Sequence, residues 1–496
     1  MGYILAIDQG TTGTRVLVVD REGRIRGEGY ARHTQYYPKP GWVEHVPEEI
    51  WRCVLKATES ALAAADVGSE EIAAIGLDNQ GETVVSWDVR TGEPLHPAIV
   101  WSCRRTSVEA RRWADDADWE ERVRSVTGLT IDPYFSATKV RWLLDHTDQP
   151  ADTVRCTTLD AWLLYRLTGG RRYATDVSTA SRTLLFDIVR LKYWQDTLDY
   201  LRIPPEVLAP VLPTVSHFGD TDPESFLGIS APVLVNIVDQ PAALFGHLCT
   251  EYGMIKCTFG TGGFVLMNAG GRPHLPSGSV LTSIAWQQGG AVTYTLDGAI
   301  YSAGSSVDWV VRNLGLADSA AETDALARSV EDSAGVYYVP ALTGLAAPHW
   351  DSTARGAFLG LNPKAGRAHL IRAMLEGIVH RVADVVEAME AASGLSSRSS
   401  LRVDGGMVRN AFFMQCLADF LGTDVIVPRL TEATAMGVAY LVGLELGWWK
   451  DADALRDKQQ IARLYTPALS QEQREQKREA WRRALAAVQV FPADED

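Results

Sequence analysis

The chain has 496 residues, of which 46% are hydrophobic and 22% charged, as is usual for a globular protein. This length exceeds what one core supports and predicts two large domains. The formal net charge of −15 disfavours nucleic acids and anionic membranes as partners.

Six cysteines are scattered without a C-x-x-C pair or a Cys/His cluster of zinc spacing. We therefore expect buried thiols in a reducing compartment. The sequence shows neither a signal-peptide pattern nor 18 consecutive apolar residues, which predicts a cytoplasmic protein.

The chain opens with an apolar run, residues 3–7, a polar Gly/Thr turn, residues 8–14, and a second apolar run, residues 16–19. This order predicts a β-hairpin. Small turn residues let backbone N–H groups approach an anion, and threonine hydroxyls add donors. Asp8, at the end of the first strand, is placed to hold Mg²⁺ directly or through water. An ordinary tight hairpin would show the same pattern. Residues 48–65 have helical spacing.

Asp239 follows the apolar run 233–238 and precedes a predicted helix over residues 241–248. Such a residue can be a helix N-cap. Phosphoryl transfer to an alcohol also needs a carboxylate that accepts the hydroxyl proton. Asp239 suits that role if it faces a cleft.

A second hairpin of the same type is predicted over residues 254–267, with its turn at residues 260–263. The two turns lie 250 residues apart, about half the chain. We interpret this as one architecture used twice, with domains at residues 1–246 and 247–496. Chance recurrence of a short turn is the alternative. Two such turns facing each other across a cleft would hold a triphosphate from both sides.

Two later segments complete the pattern. Residues 401–404 predict a strand that runs into Gly405-Gly406 and then a helix to about residue 421. The glycines leave room for a phosphate or a flat ligand, and Asn410 offers a hydrogen bond. Residues 471–487 are charged and predict a solvated surface helix.

Two longer motifs resemble signatures of the FGGY carbohydrate kinases, and within them those of glycerol kinases. The first is Tyr134-x-Ser136-x-x-Lys139-Val140-x-Trp142-Leu143-x-Asp145-His146. The second is Gly356-x-Phe358-x-Gly360-Leu361, then seven residues, then His369-Leu370-x-x-Ala373-Met374-Leu375-Glu376. The resemblance spans nearly the full chain. It implies an α/β fold of two actin-like, ribonuclease H-like domains, with ATP and a polyol meeting in the cleft between them.

The resemblance also implies roles for residues. Asp239 would be the catalytic base and, with Asp8, would hold Mg²⁺. The ATP site would comprise Thr11, Thr12, Gly13, Arg15, Thr261, Gly304, Asp308, Gly406 and Asn410. The polyol pocket would comprise Gly81, Glu82, Trp101, Tyr134, Asp239, Gln240 and Phe264. The implied reaction is phosphorylation of a terminal hydroxyl, from glycerol to glycerol 3-phosphate.

The sequence departs from the family at several positions. Gly81 replaces a glycerol-binding arginine, and Asp78 replaces an uncharged residue. Losing a charged hydrogen bond would weaken glycerol binding about ten- to a hundredfold. We therefore expect a larger, more negative pocket, with room for a longer neutral polyol or ketose such as a tetritol, pentitol or pentulose. Gly13 and Asp308 stand where serine and glutamine are frequent.

The sequence alone leaves regulation, catalytic competence and assembly open. Residues 219–225 are acidic where some bacterial relatives bind fructose bisphosphate, so we expect that regulation to be absent. A non-catalytic actin-like protein that binds nucleotides would have the same fold. Sugar-acid or acetate kinase chemistry would need cations for a carboxylate. The resemblance allows a homodimer or homotetramer, and the sequence does not fix which hydroxyl reacts.

Overall fold

The computed structural model describes residues 2–275, 279–395, 398–430 and 432–490. Within the first half, residues 1–246, the strands are β1 (Tyr3–Gln9), β2 (Gly13–Val19), β3 (Ile25–Arg32), β4 (Glu44–His45), β5 (Ile72–Asn79), β6 (Val84–Asp88), β7 (Ala98–Ile99), β8 (Val154–Thr158), β9 (Thr175–Asp176), β10 (Phe186–Asp187), β11 (Lys192–Tyr193), β12 (Val211–Leu212), β13 (Val215–Asp220) and β14 (Pro232–Val238). The helices are α1 (Pro47–Ala65), α2 (Ser107–Ala114), α3 (Ala117–Thr127), α4 (Ser136–Asp145), α5 (Leu159–Leu167), α6 (Val177–Ala180), α7 (Gln195–Leu201) and α8 (Asp239–Gly246), with 3₁₀ turns at Ser69–Glu71 and Pro205–Val207.

The second half, residues 247–496, contains the strands β15 (Ile255–Phe259), β16 (Gly263–Gly270), β17 (Leu281–Gln288), β18 (Ala291–Ile300), β19 (Tyr337–Val339), β20 (Ala357–Leu359), β21 (Leu401–Gly405), β22 (Val425–Pro428) and β23 (Ile461–Tyr465). Its helices are α9 (Gly304–Arg312), α10 (Glu322–Arg328), α11 (Arg367–Ser393), α12 (Ala411–Leu421), α13 (Ala433–Glu445), α14 (Ala452–Arg456) and α15 (Gln471–Gln489), with a 3₁₀ turn at Gly406–Arg409. Within the described ranges, no helix has the length and apolar character needed to cross a bilayer.

The main sheet of the first half has the strand order β13-β14-β5-β1-β2-β3. Strands β1 and β2 form the predicted antiparallel hairpin. Strand β5 is parallel to both β1 and β14. Because these three strands run in one direction, their carboxyl ends meet at one edge of the sheet. That edge carries Asp8, Asp78 and, just after β14, Asp239.

The main sheet of the second half repeats this arrangement, with the order β17-β18-β16-β15-β21-β22-β23. The predicted second hairpin is present as antiparallel β15 and β16. Strand β15 is parallel to β21, as β1 is to β5. Both sheets thus place a Gly/Thr turn beside the carboxyl end of a parallel strand.

Local sequence explains the helices that flank the first sheet. Helix α1 begins with Pro47 and has acidic residues in its first turn, both of which favour helix initiation. Its buried stripe includes Ile50, Val54 and Ala57. Helix α8 begins at Asp239 rather than at the predicted residue 241, because an acidic residue is favourable at a helix N-terminus.

Helix α13 joins the halves. Although it belongs to the second half of the chain, its buried residues share a core with the first sheet and α8. Gly437 of α13 closely approaches Ala242 and Gly246 of α8, since a Cβ atom at position 437 would lie 1.9 Å from the carbonyl oxygen of Ala242. Only glycine permits this contact.

The structure corrects the prediction for the C-terminal helix. Helix α15 forms, but one of its faces is buried rather than solvated. Arg478 donates to Asp384 at 2.7 Å, and the Trp481 indole N–H donates to the same carboxylate at 3.0 Å. Two donors from α15 therefore fix it against α11. All six cysteines are buried and free, as expected.

Candidate active site

A cavity of about 560 Å³ lies between the two halves of the chain. Both halves contribute to its wall, and such an interface is a frequent location of ligand pockets. Nine of the residues predicted from sequence line it: Thr11, Thr12, Glu82, Trp101, Tyr134, Asp239, Gln240, Thr261 and Phe264.

The other predicted residues do not line this cavity. Gly304 lies against the second hairpin turn, where its N–H donates to the carbonyl of Gly260 at 3.2 Å. Asp308 and Gly406 are exposed. The Asn410 side chain caps α12 by accepting from the N–H of Phe413 and donates to Thr323 at 3.1 Å. Both ends of its amide are therefore engaged within the protein.

Three carboxyl groups gather where the parallel strands of the first sheet end. Asp8 lies directly opposite Asp78 across the β1–β5 pairing. Burial raises the pKa of Asp8. Burial and the neighbouring charges of Asp8 and Asp239 together raise the pKa of Asp78 well above its usual range. Carboxyl groups are thus concentrated at this edge, beside the Gly/Thr turn.

This donor set fits a magnesium ion. Asp8 and Asp239 offer hard carboxylate oxygens, and burial raises the pKa of each by disfavouring its ionised form, which a nearby cation would stabilise. Among the described residues, no cluster of three or more His, Cys, Asp or Glu side chains is arranged to hold a metal by protein ligands alone. Mg²⁺ ordinarily keeps several waters and uses substrate phosphates, so two carboxylates are sufficient.

Asp239 occupies the first turn of α8 and faces the cavity. Its Oδ1 accepts the Gln240 N–H at 2.6 Å. Enclosure in the cleft, together with the charge of Glu82, raises the pKa of Asp239 to about 7, whereas Lys256 acts in the opposite direction. A carboxyl group with a pKa near neutrality is suited to general base catalysis.

Lys256, on β15, was not identified from the sequence. Its side chain is completely buried, and its Nζ donates to Gln240 Oε1 at 2.5 Å and to Thr258 Oγ1 at 3.0 Å. It thereby links a strand of the second half to the residue that follows Asp239. The sequence shows a lysine within an apolar strand, which is unusual. Its hydrogen-bond partner, Gln240, is identified only from the folded structure.

Two aromatic side chains form one wall of the pocket. The rings of Trp101 and Tyr134 meet edge to face, with centroids 5.3 Å apart. The Trp101 indole N–H donates to Thr11 Oγ1 at 2.8 Å, so this wall is joined to the first hairpin turn. Lys139 donates to the carbonyl oxygen of Tyr134 at 2.5 Å and thereby fixes the backbone of that residue. The aromatic wall and the first hairpin turn are therefore directly connected.

Glu82 contributes a charged group to the lining of the pocket. Only 4% of this residue is exposed, and its Oε1 accepts from Arg182 Nε at 2.7 Å. Arg182 Nη1 donates to Asp297 Oδ2 at 2.9 Å. Arg182 comes from the first half and Asp297 from β18 of the second half. Neither was identified from the sequence, because each is remote in the chain from the recognised motifs.

The structure corrects the expectation that Gly81 enlarges the pocket and makes it more negative. A Cβ atom at position 81 would lie 2.5 Å from Val238 Cγ2 and 3.9 Å from Arg182 Cγ. The volume next to Gly81 is therefore already filled. A guanidinium, that of Arg182, also stands beside Glu82 and supplies positive charge.

Arg15 and Gly13 adjoin the first turn in different ways. Arg15 lies opposite Asp8 in the hairpin and pairs with Glu28 and, at 2.9 Å, with Glu432 of the second half. Gly13 packs tightly, since a Cβ atom there would be 2.6 Å from the carbonyl oxygen of Ala31. This contact explains why a side chain is absent at position 13.

Comparison with known proteins places these features in a family. Residues 3–246 match the sequence model of the FGGY family of carbohydrate kinases, N-terminal domain, and residues 255–446 match its C-terminal domain. The chain is 46% identical to glycerol kinase of Symbiobacterium thermophilum and 44% identical to that of Carboxydothermus hydrogenoformans, and each alignment covers 99% of both chains.

The fold is similarly matched. The crystal structure of Plasmodium falciparum glycerol kinase with ADP superimposes with a TM-score of 0.93 at 32% identity and covers 98% of each chain. The predicted fold class, two actin-like α/β domains flanking a cleft, is confirmed by this match.

Proposed function

Because the chain belongs to the FGGY family of carbohydrate kinases, we propose that it transfers the γ-phosphoryl group of ATP to a terminal hydroxyl of glycerol. The observation that carries the proposal is the position of Asp239. Its carboxylate lies at the end of β14, in a cavity that both Gly/Thr hairpin turns also line. The glycerol kinases of two bacteria, similar over their whole length, support the choice of substrate.

The chemistry follows from the residues of the cavity. Asp239 draws a proton from the attacking hydroxyl, and its pKa near 7 permits this at neutral pH. The carboxylate of Glu82 and the amide of Gln240 bind other hydroxyls, while Trp101 and Phe264 cover the carbon chain. Phosphoryl transfer depends mainly on such alignment and on neutralisation of charge.

We assign the remaining roles in the same proposal. Mg²⁺, held by Asp8 and Asp239 directly or through water, would neutralise phosphate charge. Residues 1–246 would bind the polyol and the phosphates and supply the base, and residues 247–496 would bind the nucleotide. The phosphates would lie against Thr11, Thr12, Gly13 and Arg15, and the rest of the nucleotide against Thr261, Gly304, Asp308, Gly406 and Asn410. Closure of the two halves would exclude water.

The proposed setting is cytoplasmic, with a small neutral polyol as substrate and with a homodimer or homotetramer as the assembly. The structure gives less support than the sequence to a kinase of longer polyols or ketoses, because the room expected at Gly81 is filled by Val238 and Arg182. A non-catalytic protein is disfavoured because both Asp8 and Asp239 are present at the carboxyl edge of the first sheet.

A substrate panel tests the proposal. Purified protein with ATP and Mg²⁺ is assayed for ADP release with glycerol, erythritol, xylitol, ribitol, xylulose and ribulose, and omission of each polyol serves as the control. We expect glycerol to give the highest kcat/KM, by at least about tenfold, because the space next to Gly81 that a longer carbon chain would need is filled by Val238. Turnover of a pentitol or pentulose above that of glycerol would contradict the proposal.

A further inference from the structure

Arg182 is a buried cation at the substrate end of the cavity, and the mechanism above does not use it. Its side chain is only 8% exposed, yet it lines the cavity together with Glu82 and Asp239. Burying a charge is costly unless it is paired. Two carboxylates pair with Arg182, Glu82 at 2.7 Å and Asp297 at 2.9 Å.

This pairing leaves part of the guanidinium free. The group carries five N–H donors in a fixed planar fork, of which Nε and Nη1 are engaged by the two carboxylates. Within the described part of the chain, Nη2 has no acceptor at hydrogen-bonding distance. Because the fork is rigid, the two engaged donors also fix the direction of the free ones.

The surroundings of Arg182 favour an alcohol as the missing acceptor. Its guanidinium carbon lies over two aromatic rings, 5.8 Å from the Tyr134 ring centroid and 5.2 Å from that of Phe135. Its charge is already balanced by Glu82 and Asp297. A neutral oxygen atom can accept a hydrogen bond from the free N–H groups without adding another charge.

The choice of cation is also restricted by geometry. Among the described residues that line the cavity, the cations are Arg104 and Arg182. Arg104 is 46% exposed at the rim and pairs with Asp132. Position 81 cannot supply a side chain unless Val238 moves. Arg182 is therefore the cation that stands next to Glu82.

We propose that Arg182 is a substrate-binding residue, whose free N–H groups donate to a hydroxyl of the polyol while Glu82 and Asp297 hold it in place. The inference deepens the proposed function and rests on it. It also gives the polyol a role in the assembly of the site, because Asp297 belongs to the second half of the chain. Polyol bound to Arg182 thus contacts a group that is anchored on both sides of the cleft.

The test compares Arg182→Met with wild type, with Arg190→Met as the control. Arg190 lies near Arg182 in the chain but is 68% exposed outside the cavity. We expect Arg182→Met to raise the KM for glycerol about ten- to a hundredfold, the usual effect of losing a charged hydrogen bond, with the KM for ATP unchanged. Arg190→Met leaves both values unchanged. An unchanged KM for glycerol in Arg182→Met overturns the proposal.

Substrate analogues separate direct contact from a structural role. If Arg182 binds one hydroxyl, the loss caused by Arg182→Met shrinks to less than about threefold for whichever of 1,2-propanediol and 1,3-propanediol lacks that hydroxyl. Equal losses for glycerol and both analogues mean that Arg182 acts only on the fold, which overturns the proposal.

Misfolding of the variant and inactivity of the wild type lead to different conclusions. If Arg182→Met does not fold, as judged by circular dichroism, Arg182→Lys is the deciding variant. Its point charge cannot reproduce the planar fork, so the KM for glycerol again rises, and an unchanged value overturns the proposal. If the wild-type protein does not phosphorylate glycerol at all, the proposed function fails. If the wild type is active and both Arg182 variants are normal, the Arg182 inference alone fails.

Discussion

Asp239 shows how one side chain acquires its chemistry from its surroundings. In water its carboxyl group would be ionised at all physiological pH values. Enclosure in the cleft and the nearby Glu82 raise its pKa to about 7, while Lys256 opposes them. The residue itself was predictable from sequence as the end of an apolar strand. Lys256 and Asp297 were not, because their relation to Asp239 and Arg182 depends on how the halves meet.

The pKa of Asp239 predicts a pH profile. A base works only when ionised, so kcat/KM for glycerol falls by about tenfold for each pH unit below the pKa of Asp239, which is about 7 without a bound cation and lower once Mg²⁺ is held beside it. Lys256→Met removes a charge that lowers this pKa, so the acidic limb of the profile shifts to higher pH. Initial rates between about pH 5.5 and 9 measure both effects. An acidic limb that stays at the same pH in Lys256→Met would be inconsistent with Asp239 as the base.

At the scale of elements, local signals predicted the hairpins well. Turn residues such as Gly10 and Gly260 act within a few positions of the chain, and both antiparallel pairs form. Helix α15 was predicted in its position but not in its burial. Because most of its residues are charged, the sequence did not indicate a buried face. That face is a stripe at helical spacing formed by Arg478, Trp481, Leu485 and Val488.

The packing of α8 on α13 predicts a stability effect. Alanine normally favours a helix over glycine by about 1 kcal/mol. At position 437, however, the added Cβ would meet the carbonyl oxygen of Ala242 at 1.9 Å, and overpacking costs about 1–3 kcal/mol or more. We therefore expect Gly437→Ala to be destabilising on balance, with a lower Tm in thermal unfolding.

A surface glycine provides the control for that measurement. The nearest contact of a Cβ at position 271 would be the carbonyl oxygen of Val292 at 3.8 Å, so Gly271→Ala should change the stability by less than about 0.5 kcal/mol. If Gly437→Ala melts at or above the temperature of the wild type, the close approach of α8 and α13 is wrong.

The whole molecule is built by repetition. Each sheet sets a Gly/Thr turn beside a parallel strand, and the cavity lies where the two copies face each other. The similar turns in the sequence predicted that repetition. The contacts that connect the copies are long-range pairs, such as Arg15 with Glu432 and Arg182 with Asp297, which no local pattern indicates.

This arrangement also explains how an anionic protein binds an anionic nucleotide. The net charge of −15 gives no general attraction for ATP. In the proposed function, binding would therefore come from local groups, namely the backbone and hydroxyl donors of the turns and a cation at the Asp8 and Asp239 carboxylates.

The proposed function depends above all on Asp239 acting as the base in a cleft shared by glycerol and ATP. Its decisive test is the kcat of Asp239→Asn with glycerol and ATP, measured beside Asp118→Asn, an exposed substitution on α3. We expect Asp239→Asn to lose about 100- to 10,000-fold in kcat, as for removal of a general base, while its affinity for ADP stays within about threefold of wild type. Retention of more than about 5% of wild-type activity would refute this role, since general bases contribute at least about a hundredfold.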